Sequence, residues 1–303
     1  MRNSFSKSLL SAARNNPKIV LLTGDLGYSV FEEFASELPN QFLNLGITEQ
    51  SSISFAAGLA KEGFHPFYYS IANFPTFRCF EQIRNDVVHM NLPVTIVAVG
   101  AGFSYGSAGY SHHLIEDISA LRTLSGLKIY SPYDPVNTTE CLNQILNSSN
   151  PSYLRIGRGG DPKLEGHLRL EELPDSLSDC DGTILFTGSI GVEVLKAKEQ
   201  LTGIGININA VSVSNLSQID PSALKRAVGC NPFITVEEHV LRGGFGSALI
   251  EALECCEKLP RYKRLGISRT EGSLVGSSDF LRKVHRINSE EILRAFKEIA
   301  GIS

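Results

Sequence analysis

The 303-residue sequence lacks the features that mark membrane proteins and nucleic-acid-binding proteins. No uninterrupted apolar stretch reaches the ~18 residues that a transmembrane helix requires, so a membrane span is not expected. The formal net charge is −4 and no run of lysine and arginine offsets it, so neither nucleic acid nor an anionic membrane is an expected partner. Internal repeats and low-complexity tracts are also absent.

None of the six cysteines shows C-x-x-C spacing, which argues against a redox motif or a zinc site of that type. Two of them, Cys255 and Cys256, are adjacent and poorly suited to a mutual disulfide. Reduced thiols and a cytoplasmic location are therefore predicted. The first 16 residues lack an uncharged signal core and are interpreted as an amphipathic helix; a transit peptide is the alternative, because the segment is rich in serine and poor in acid.

Strand-like and helix-like segments alternate along the whole chain. The runs KIVLLTGD and LPVTIVAVG are continuous and apolar, which is typical of strands buried on both faces of a parallel sheet. A polar segment rich in charge, glycine and proline interrupts the alternation and predicts a linker at residues 166–181. The predicted fold class is α/β, with two doubly wound domains at 1–165 and 182–303, each containing a mostly parallel sheet.

The less common polar and aromatic residues follow the predicted strands. Open α/β sheets bind ligands beyond the carboxyl ends of their strands, so loops at one sheet edge converge on one place. Taken singly, each residue has an ordinary explanation: Glu49 complements a helix dipole, His112 and His113 are solvated, and Arg158 belongs to an ion pair. Such residues follow each of the five strand-like runs KIVLLTG, QFLNLG, HPFYYS, VTIVAVG and SYLRIG, and five loops at one sheet edge together predict a site.

The glycine-rich segment GGFGS at Gly243–Ser247 resembles a nucleotide-binding loop only superficially. It lacks the full G-x-G-x-x-G spacing, and no acidic residue follows about 20 residues later in a strand. A tight turn from a strand to a helix is the preferred interpretation.

The order of several motifs carries a family resemblance. NLGITEQSSISFAAGLAKEG, ANFPTFRCFEQIRN, AGYSHHLIEDISALR and YSPYDP together resemble the pyrimidine-binding domain of the transketolase family of thiamine diphosphate enzymes. ITVEEHVLRGGFGSALIEAL resembles the C-terminal domain of that family, and the resemblance extends from about residue 2 to about residue 295. It implies transfer of a two-carbon ketol unit between sugar-like substrates.

One family motif is missing. The family holds the cofactor diphosphate through Mg²⁺ bound by a Gly-Asp-Gly motif, and TGDLG does not match it. The resemblance therefore implies the C-terminal half of a split transketolase, with thiamine diphosphate as cofactor and with Mg²⁺ and the diphosphate held by an N-terminal partner subunit in an α2β2 assembly. No metal site is expected in this chain.

The resemblance assigns the cofactor contacts. Glu49 would share a proton with a nitrogen of the aminopyrimidine ring, because a desolvated carboxyl has a raised pKa that favours such sharing. The remaining predicted contacts with the pyrimidine are Phe74, Phe77, Arg78, Leu26 and Ile47.

The substrate contacts follow in the same way. His112 matches a histidine that lies near the reacting carbonyl and is, with Glu49, a predicted catalytic residue. Predicted substrate contacts are Arg158, Ser29 and Arg2, which match phosphate-binding positions, and His113, whose role the resemblance leaves open.

Two departures concern the substrate. Similar transketolases often carry an acidic residue where this chain has Ala108, and a phosphate-binding histidine where it has Gly100. The usual pentose phosphates are therefore not the expected substrates, and the aromatic loop Phe103–Tyr110 offers stacking surfaces for a nucleotide-linked sugar. Two rival functions are the β subunit of a 2-oxoacid dehydrogenase, which SHHLIEDISALR disfavours, and a non-catalytic structural subunit.

Overall fold

The computed structural model describes residues 1–175, 177, 179–254, 256, 258–268 and 274–302. The chain forms two α/β units, and every strand pair in their two sheets is parallel, so the predicted fold class is confirmed. Among these residues, no helix combines the length and apolar character needed to cross a bilayer. Cys255 lies outside the described residues, and the other five cysteines are free thiols.

The first sheet has six strands in the order β2-β1-β3-β4-β6-β5. Its central strands β1, β4 and β6 are buried along their whole length, which explains their continuous apolar sequence. The strands are β1 (Ile19–Thr23), β2 (Phe42–Asn44), β3 (His65–Ile71), β4 (Thr95–Val99), β5 (Lys128–Tyr130) and β6 (Ser152–Ile156).

Helices cover both faces of this sheet, as expected for a doubly wound domain. Helices α1 and α6 pack on one face, around Phe5, Leu9 and Leu142, and α3 packs on the other through Ile53 and Ala56. The helices are α1 (Arg2–Asn15), α2 (Glu32–Glu37), α3 (Glu49–Lys61), α4 (Phe80–Gln82), α5 (Asp117–Leu121) and α6 (Pro135–Leu146). Helix α4 continues as a π-helical turn over Ile83–Val88, where the sequence pattern predicts an uninterrupted helix.

The second sheet has five strands in the order β11-β10-β8-β9-β7. They are β7 (Leu168–Arg169), β8 (Gly182–Phe186), β9 (Ile208–Ser212), β10 (Phe233–Val240) and β11 (Tyr262–Ile267). The helices of this unit are α7 (Gly191–Gly203), α8 (Pro221–Val228), α9 (Phe245–Ala252), α10 (Ser278–Val284) and α11 (Ser289–Ala300). The segment predicted as a linker supplies β7, so it is part of the second sheet rather than a free connection.

The glycine-rich segment forms the turn between β10 and α9, as the sequence predicts. Its backbone binds a carboxylate of the chain itself: the amides of Phe245 and Gly246 donate to Glu237 Oε2 and Oε1 at 2.6 and 2.9 Å. A Cβ on Gly244 would overlap Glu237 Oε2, so glycine is required at that position. Burial raises the pKa of Glu237 to about 7, although these two amides act in the opposite direction.

This pKa predicts a measurable dependence of stability on pH. The folded state holds the Glu237 proton more tightly than an unfolded chain, whose ordinary pKa is 4.5. The contribution of Glu237 to the free energy of unfolding therefore falls by up to about 3 kcal/mol as pH rises from about 5 to about 8. Replacing Glu237 by glutamine should remove that difference, measured by denaturant unfolding of both proteins at the two pH values.

Glu62→Gln is a matched control, because Glu62 is exposed just beyond the end of α3. It should retain the pH dependence of the wild type. Equal pH dependence in the Glu237→Gln variant and the wild type would contradict the assignment.

Candidate functional site

The predicted site residues gather at the carboxyl edge of the first sheet, where β1, β2, β3, β4 and β6 end. Glu49 follows β2, Phe74 and Arg78 follow β3, His112 follows β4, and Arg158 follows β6. Because the strands are parallel and adjacent, these loops lie side by side.

Glu49 is the first residue of α3 and only 8% exposed. The preceding turn directs it inward: Gly46 has a φ of 68°, and the Thr48 amide donates to the Gly46 carbonyl at 2.9 Å. Arg78 Nη1 donates to Glu49 Oε1 at 2.9 Å, while Glu49 Oε2 accepts no hydrogen bond from the described residues. One oxygen of a largely buried carboxylate is thus left for another donor.

Aromatic and cationic groups stand beside this carboxylate. The Arg78 guanidinium lies 4.0 Å from the centre of the Phe74 ring, so one side chain contacts both Phe74 and Glu49. Phe77 and Ile47 are 41% and 72% exposed on the surface around it. Leu26 is half-buried and packs partly against the core beneath α1. Of the predicted apolar contacts, only Phe74 shares a contacting residue with Glu49, namely Arg78.

His112 is a second neighbour of Phe74. Their ring centres are 5.4 Å apart in an edge-to-face arrangement, and Ser111 Oγ lies 3.0 Å from His112 Nδ1. Asn73, which sequence analysis missed, connects the two loops, because its amide donates to the carbonyls of Ser111 and His113 at 3.2 and 2.9 Å. The structure therefore brings Glu49, Phe74, Arg78 and His112 together.

His113 requires a correction. The sequence predicts a substrate contact, but the side chain is buried, and Nε2 donates to the Gly106 carbonyl at 3.1 Å. Its ring also meets Phe103 edge to face at 5.2 Å, and Phe103 in turn stacks on His285 of the second unit. His113 therefore stabilises the loop from inside, and the buried Phe103 offers no surface for stacking a substrate.

A buried ion pair stabilises the loop that contains His112 at its C-terminal end, where α5 begins. Asp117, the first residue of α5, accepts from Arg155 Nε at 3.0 Å and from the Tyr153 hydroxyl at 2.7 Å. Arg155 Nη2 donates to the carbonyls of Leu114 and Glu238, which belong to different units. These contacts fix the beginning of α5 against the second sheet.

His239 completes this arrangement. Its Nε2 accepts a hydrogen bond from the amide of Ile118 at 3.1 Å, and its Nδ1 donates one to the carbonyl of the next residue, Val240, at 2.8 Å. Burial lowers the pKa of His239 to about 4, so the ring is neutral at physiological pH and Nε2 can act as an acceptor. Nothing in the sequence near His239 indicates this contact with α5.

Arg2 and Arg158 line a cleft of about 630 Å³ between the two units. Neither forms an ion pair with a described residue, whereas the cleft residues Lys196 and Arg282 are paired with Glu193 and Glu238. Ser29 does not line this cleft: it lies on an exposed turn at φ 60°, where its amide donates to Glu32 Oε1. The predicted grouping of Arg2 with Arg158 is thus present in the structure, but that of Ser29 with them is not.

Comparison with protein-family models matches both halves of the chain. Residues 1–160 match the model described as transketolase, pyrimidine binding domain, and residues 177–292 match transketolase, C-terminal domain.

Two curated relatives are similar over most of their own length. A subunit of the apulose-4-phosphate transketolase of Phocaeicola vulgatus is 33% identical over 258 residues, which is 83% of this chain and 83% of the relative. A subunit of the 6-deoxy-6-sulfo-D-fructose transketolase of Clostridium sp. (strain MSTE9) is 30% identical over 305 residues, or 99% of this chain and 94% of the relative.

A solved structure described as a split gene transketolase, inactive β4 tetramer, superposes with a TM-score of 0.83 at 30% identity. The match covers 99% of this chain and 98% of that one. The chain therefore belongs to the transketolase family, and the expectation that it corresponds to a C-terminal transketolase subunit is confirmed.

Proposed function

We propose that this chain is the pyrimidine-binding subunit of a split, thiamine-diphosphate-dependent transketolase that acts on sugars other than the common pentose phosphates. The observation that carries the proposal is the largely buried Glu49 paired with Arg78, whose guanidinium lies over the Phe74 ring, which in turn meets the His112 ring edge to face. The substrates named for the two curated relatives, apulose 4-phosphate and 6-deoxy-6-sulfo-D-fructose, support an unusual sugar.

The residues of this chain fit the pyrimidine end of the cofactor. When bound, thiamine diphosphate supplies a thiazolium carbon that adds to the carbonyl of the donor. Glu49 presents an oxygen without a hydrogen-bond partner among the described residues, and the aromatic Phe74 ring contacts Arg78, which binds the other oxygen. A carboxyl in this position could share a proton with a ring nitrogen of the bound cofactor.

Arg78 has two roles in this proposal. In the chain alone it neutralises Glu49, which limits the cost of placing a carboxylate in a mostly buried position. Because the Arg78 side chain is 50% exposed, it can turn outward and release Glu49 Oε1 without breaking core packing.

His112 and the two arginines would act on the substrate. The half-exposed His112 can donate a proton to, or accept one from, an oxygen at the reacting carbon. Arg2 and Arg158 supply unpaired positive charge in the cleft, which suits an anionic group at the far end of the sugar.

The partner subunit would complete the site. Phe77, Ile47 and Phe55 expose large apolar side chains near Glu49, a pattern typical of a surface that another chain covers. Among the described residues, no cluster of three or more His, Cys, Asp or Glu could hold a metal ion, and in this proposal Mg²⁺ and the diphosphate bind to the N-terminal subunit. An α2β2 assembly in the cytoplasm is proposed; the β4 tetramer of the similar solved structure is described as inactive.

Mixing this chain with the cognate N-terminal subunit tests the function directly. Each chain alone should be inactive, and the mixture should transfer a two-carbon unit from hydroxypyruvate to an aldehyde acceptor when thiamine diphosphate and Mg²⁺ are present. The measurement is product formation by chromatography and assembly size by light scattering.

The rival functions give different outcomes. Decarboxylation of 2-oxo acids with acyl transfer to lipoamide would identify a dehydrogenase β subunit. An assembly in which calorimetry detects no binding of thiamine diphosphate would identify a structural subunit. Ketol transfer by this chain alone would contradict the split arrangement.

Glu49→Gln tests the catalytic carboxyl. The amide is nearly isosteric but cannot share a proton with a ring nitrogen, so turnover should fall by at least about 100-fold while the assembly remains intact. The readout is the turnover number at saturating cofactor, with assembly confirmed by light scattering. Glu62→Gln, in the exposed position beyond α3, is the control and should retain wild-type turnover. Wild-type turnover by Glu49→Gln would refute the assignment.

A further inference from the structure

Two adjacent residues after β3 have features that are unfavourable for stability. Ala72 is buried and has a φ of 44°, a left-handed conformation that is disfavoured for a residue with a Cβ. In Asn73, the buried Oδ1 accepts no hydrogen bond from a described residue, and an unpaired buried acceptor also costs stability. Backbone strain of this kind is concentrated at functional sites, so the segment points to a role beyond packing.

The backbone on both sides of Asn73 is fixed by hydrogen bonds. The Ala72 amide donates to the carbonyl of Val99, the last residue of β4, at 2.7 Å. The Asn73 carbonyl accepts from the amides of Phe77 and Thr76 at 3.0 and 3.3 Å. The position of the Asn73 side chain therefore follows from the end of the first sheet and from the turn after it.

The Asn73 side chain contacts the loop of His112 through its NH₂ group. Nδ2 donates to the carbonyls of Ser111 and His113 at 3.2 and 2.9 Å, and these residues immediately precede and follow His112. One amide thus binds both neighbours of a candidate catalytic residue. An aspartate would set a carboxylate oxygen against the same two carbonyls, so the contact requires a donor.

The other hydrogen bonds in the middle of this loop are local. Among the described residues, those made by residues 110–113 remain within the turn or reach residues 106, 109 and 116 of the same loop. The contacts with the second unit involve the two ends of the loop. Asn73 therefore connects the middle of the loop to the first sheet, next to Phe74, whose ring centre lies 5.4 Å from that of His112.

We propose that Asn73 is a positioning residue, which fixes the peptide groups on both sides of His112 so that the imidazole lies beside Phe74 at the reacting end of the site. The inference rests on the proposed ketol-transfer function and adds to it a residue that acts through His112. Because His112 would act on the reacting oxygen in the chemical step, the contribution of Asn73 belongs to turnover rather than to ligand binding.

The first test compares Asn73→Ala with wild type in the assembly with the N-terminal subunit, with hydroxypyruvate as donor and glyceraldehyde as acceptor. The turnover number should fall at least about tenfold, because a displaced acid–base group loses much of its effect. The KM of both substrates, and the Kd of thiamine diphosphate from calorimetry, should change less than about twofold. Asn73→Asp, which keeps the size of the side chain and loses the donor, should lower turnover at least as much.

The second test measures the position of His112 in this chain without the partner subunit. In NMR spectra of protein with labelled histidine rings, the His112 resonance is identified by its absence from His112→Gln, and Phe74→Leu removes the influence of the neighbouring ring. Asn73→Ala should move the His112 resonance toward its position in Phe74→Leu. The resonance of His65, at the opposite edge of the sheet, should not move.

Asn231→Ala is the matched control, because Asn231 Nδ2 also donates to the backbone carbonyl of a distant segment, that of Cys180 at 2.7 Å, in the second unit. It should leave turnover and the His112 resonance unchanged. Wild-type turnover or an unmoved His112 resonance in Asn73→Ala would overturn the positioning role, and so would a loss of cofactor or substrate binding as large as the loss of turnover. A wild-type pair that transfers no ketol unit would instead overturn the proposed function, whereas the resonance comparison would still decide whether Asn73 positions His112.

Discussion

The pairing of Asp117 with Arg155 is the interaction on which the site depends. Both side chains are buried, at 0% and 3% exposure, so removal of either partner would leave an uncompensated charge inside the protein. The pair is satisfied only when β6, α5 and the end of β10 meet, because Arg155 also donates to the carbonyls of Leu114 and Glu238. The loop that carries His112 leads directly into α5, so its position follows from this junction.

The second unit therefore contributes to a site whose candidate catalytic residues all belong to the first. His239 accepts from the Ile118 amide, Ser278 Oγ donates to the Phe103 carbonyl at 2.8 Å, and the Val240 amide donates to the Ile115 carbonyl. These contacts hold both ends of the segment from Phe103 to Ile118. On the exposed side of the site, the described residues of the second unit make no such contacts with Phe77 or Ile47, and large exposed apolar side chains are typical of a surface that another chain covers.

Residues that are adjacent in sequence are the hardest to assign. The sequence does not distinguish the adjacent His112 and His113, yet only His112 reaches the site. The 3₁₀ turn at Tyr110–His112 directs the side chain of His113 inward, toward the Gly106 carbonyl. The family resemblance groups Ser29 with Arg2 and Arg158, but the turn at φ 60° places Ser29 outside their cleft.

The alternation of strands and helices, the parallel sheets and the loops that carry the site residues all follow from the pattern of apolar residues along the chain. Continuous apolar strands are stable only when both faces are covered, and parallel strands place their following loops along one edge. Which polar groups pair with one another becomes visible only in the folded chain. Asp117 with Arg155, His239 with the amide of Ile118, and Tyr105 over Gly100 depend on backbone turns and on contacts between segments that pattern and spacing do not encode. Within the part of the chain that the structure describes, Glu49 Oε2 accepts no hydrogen bond, and neither Arg2 nor Arg158 forms an ion pair.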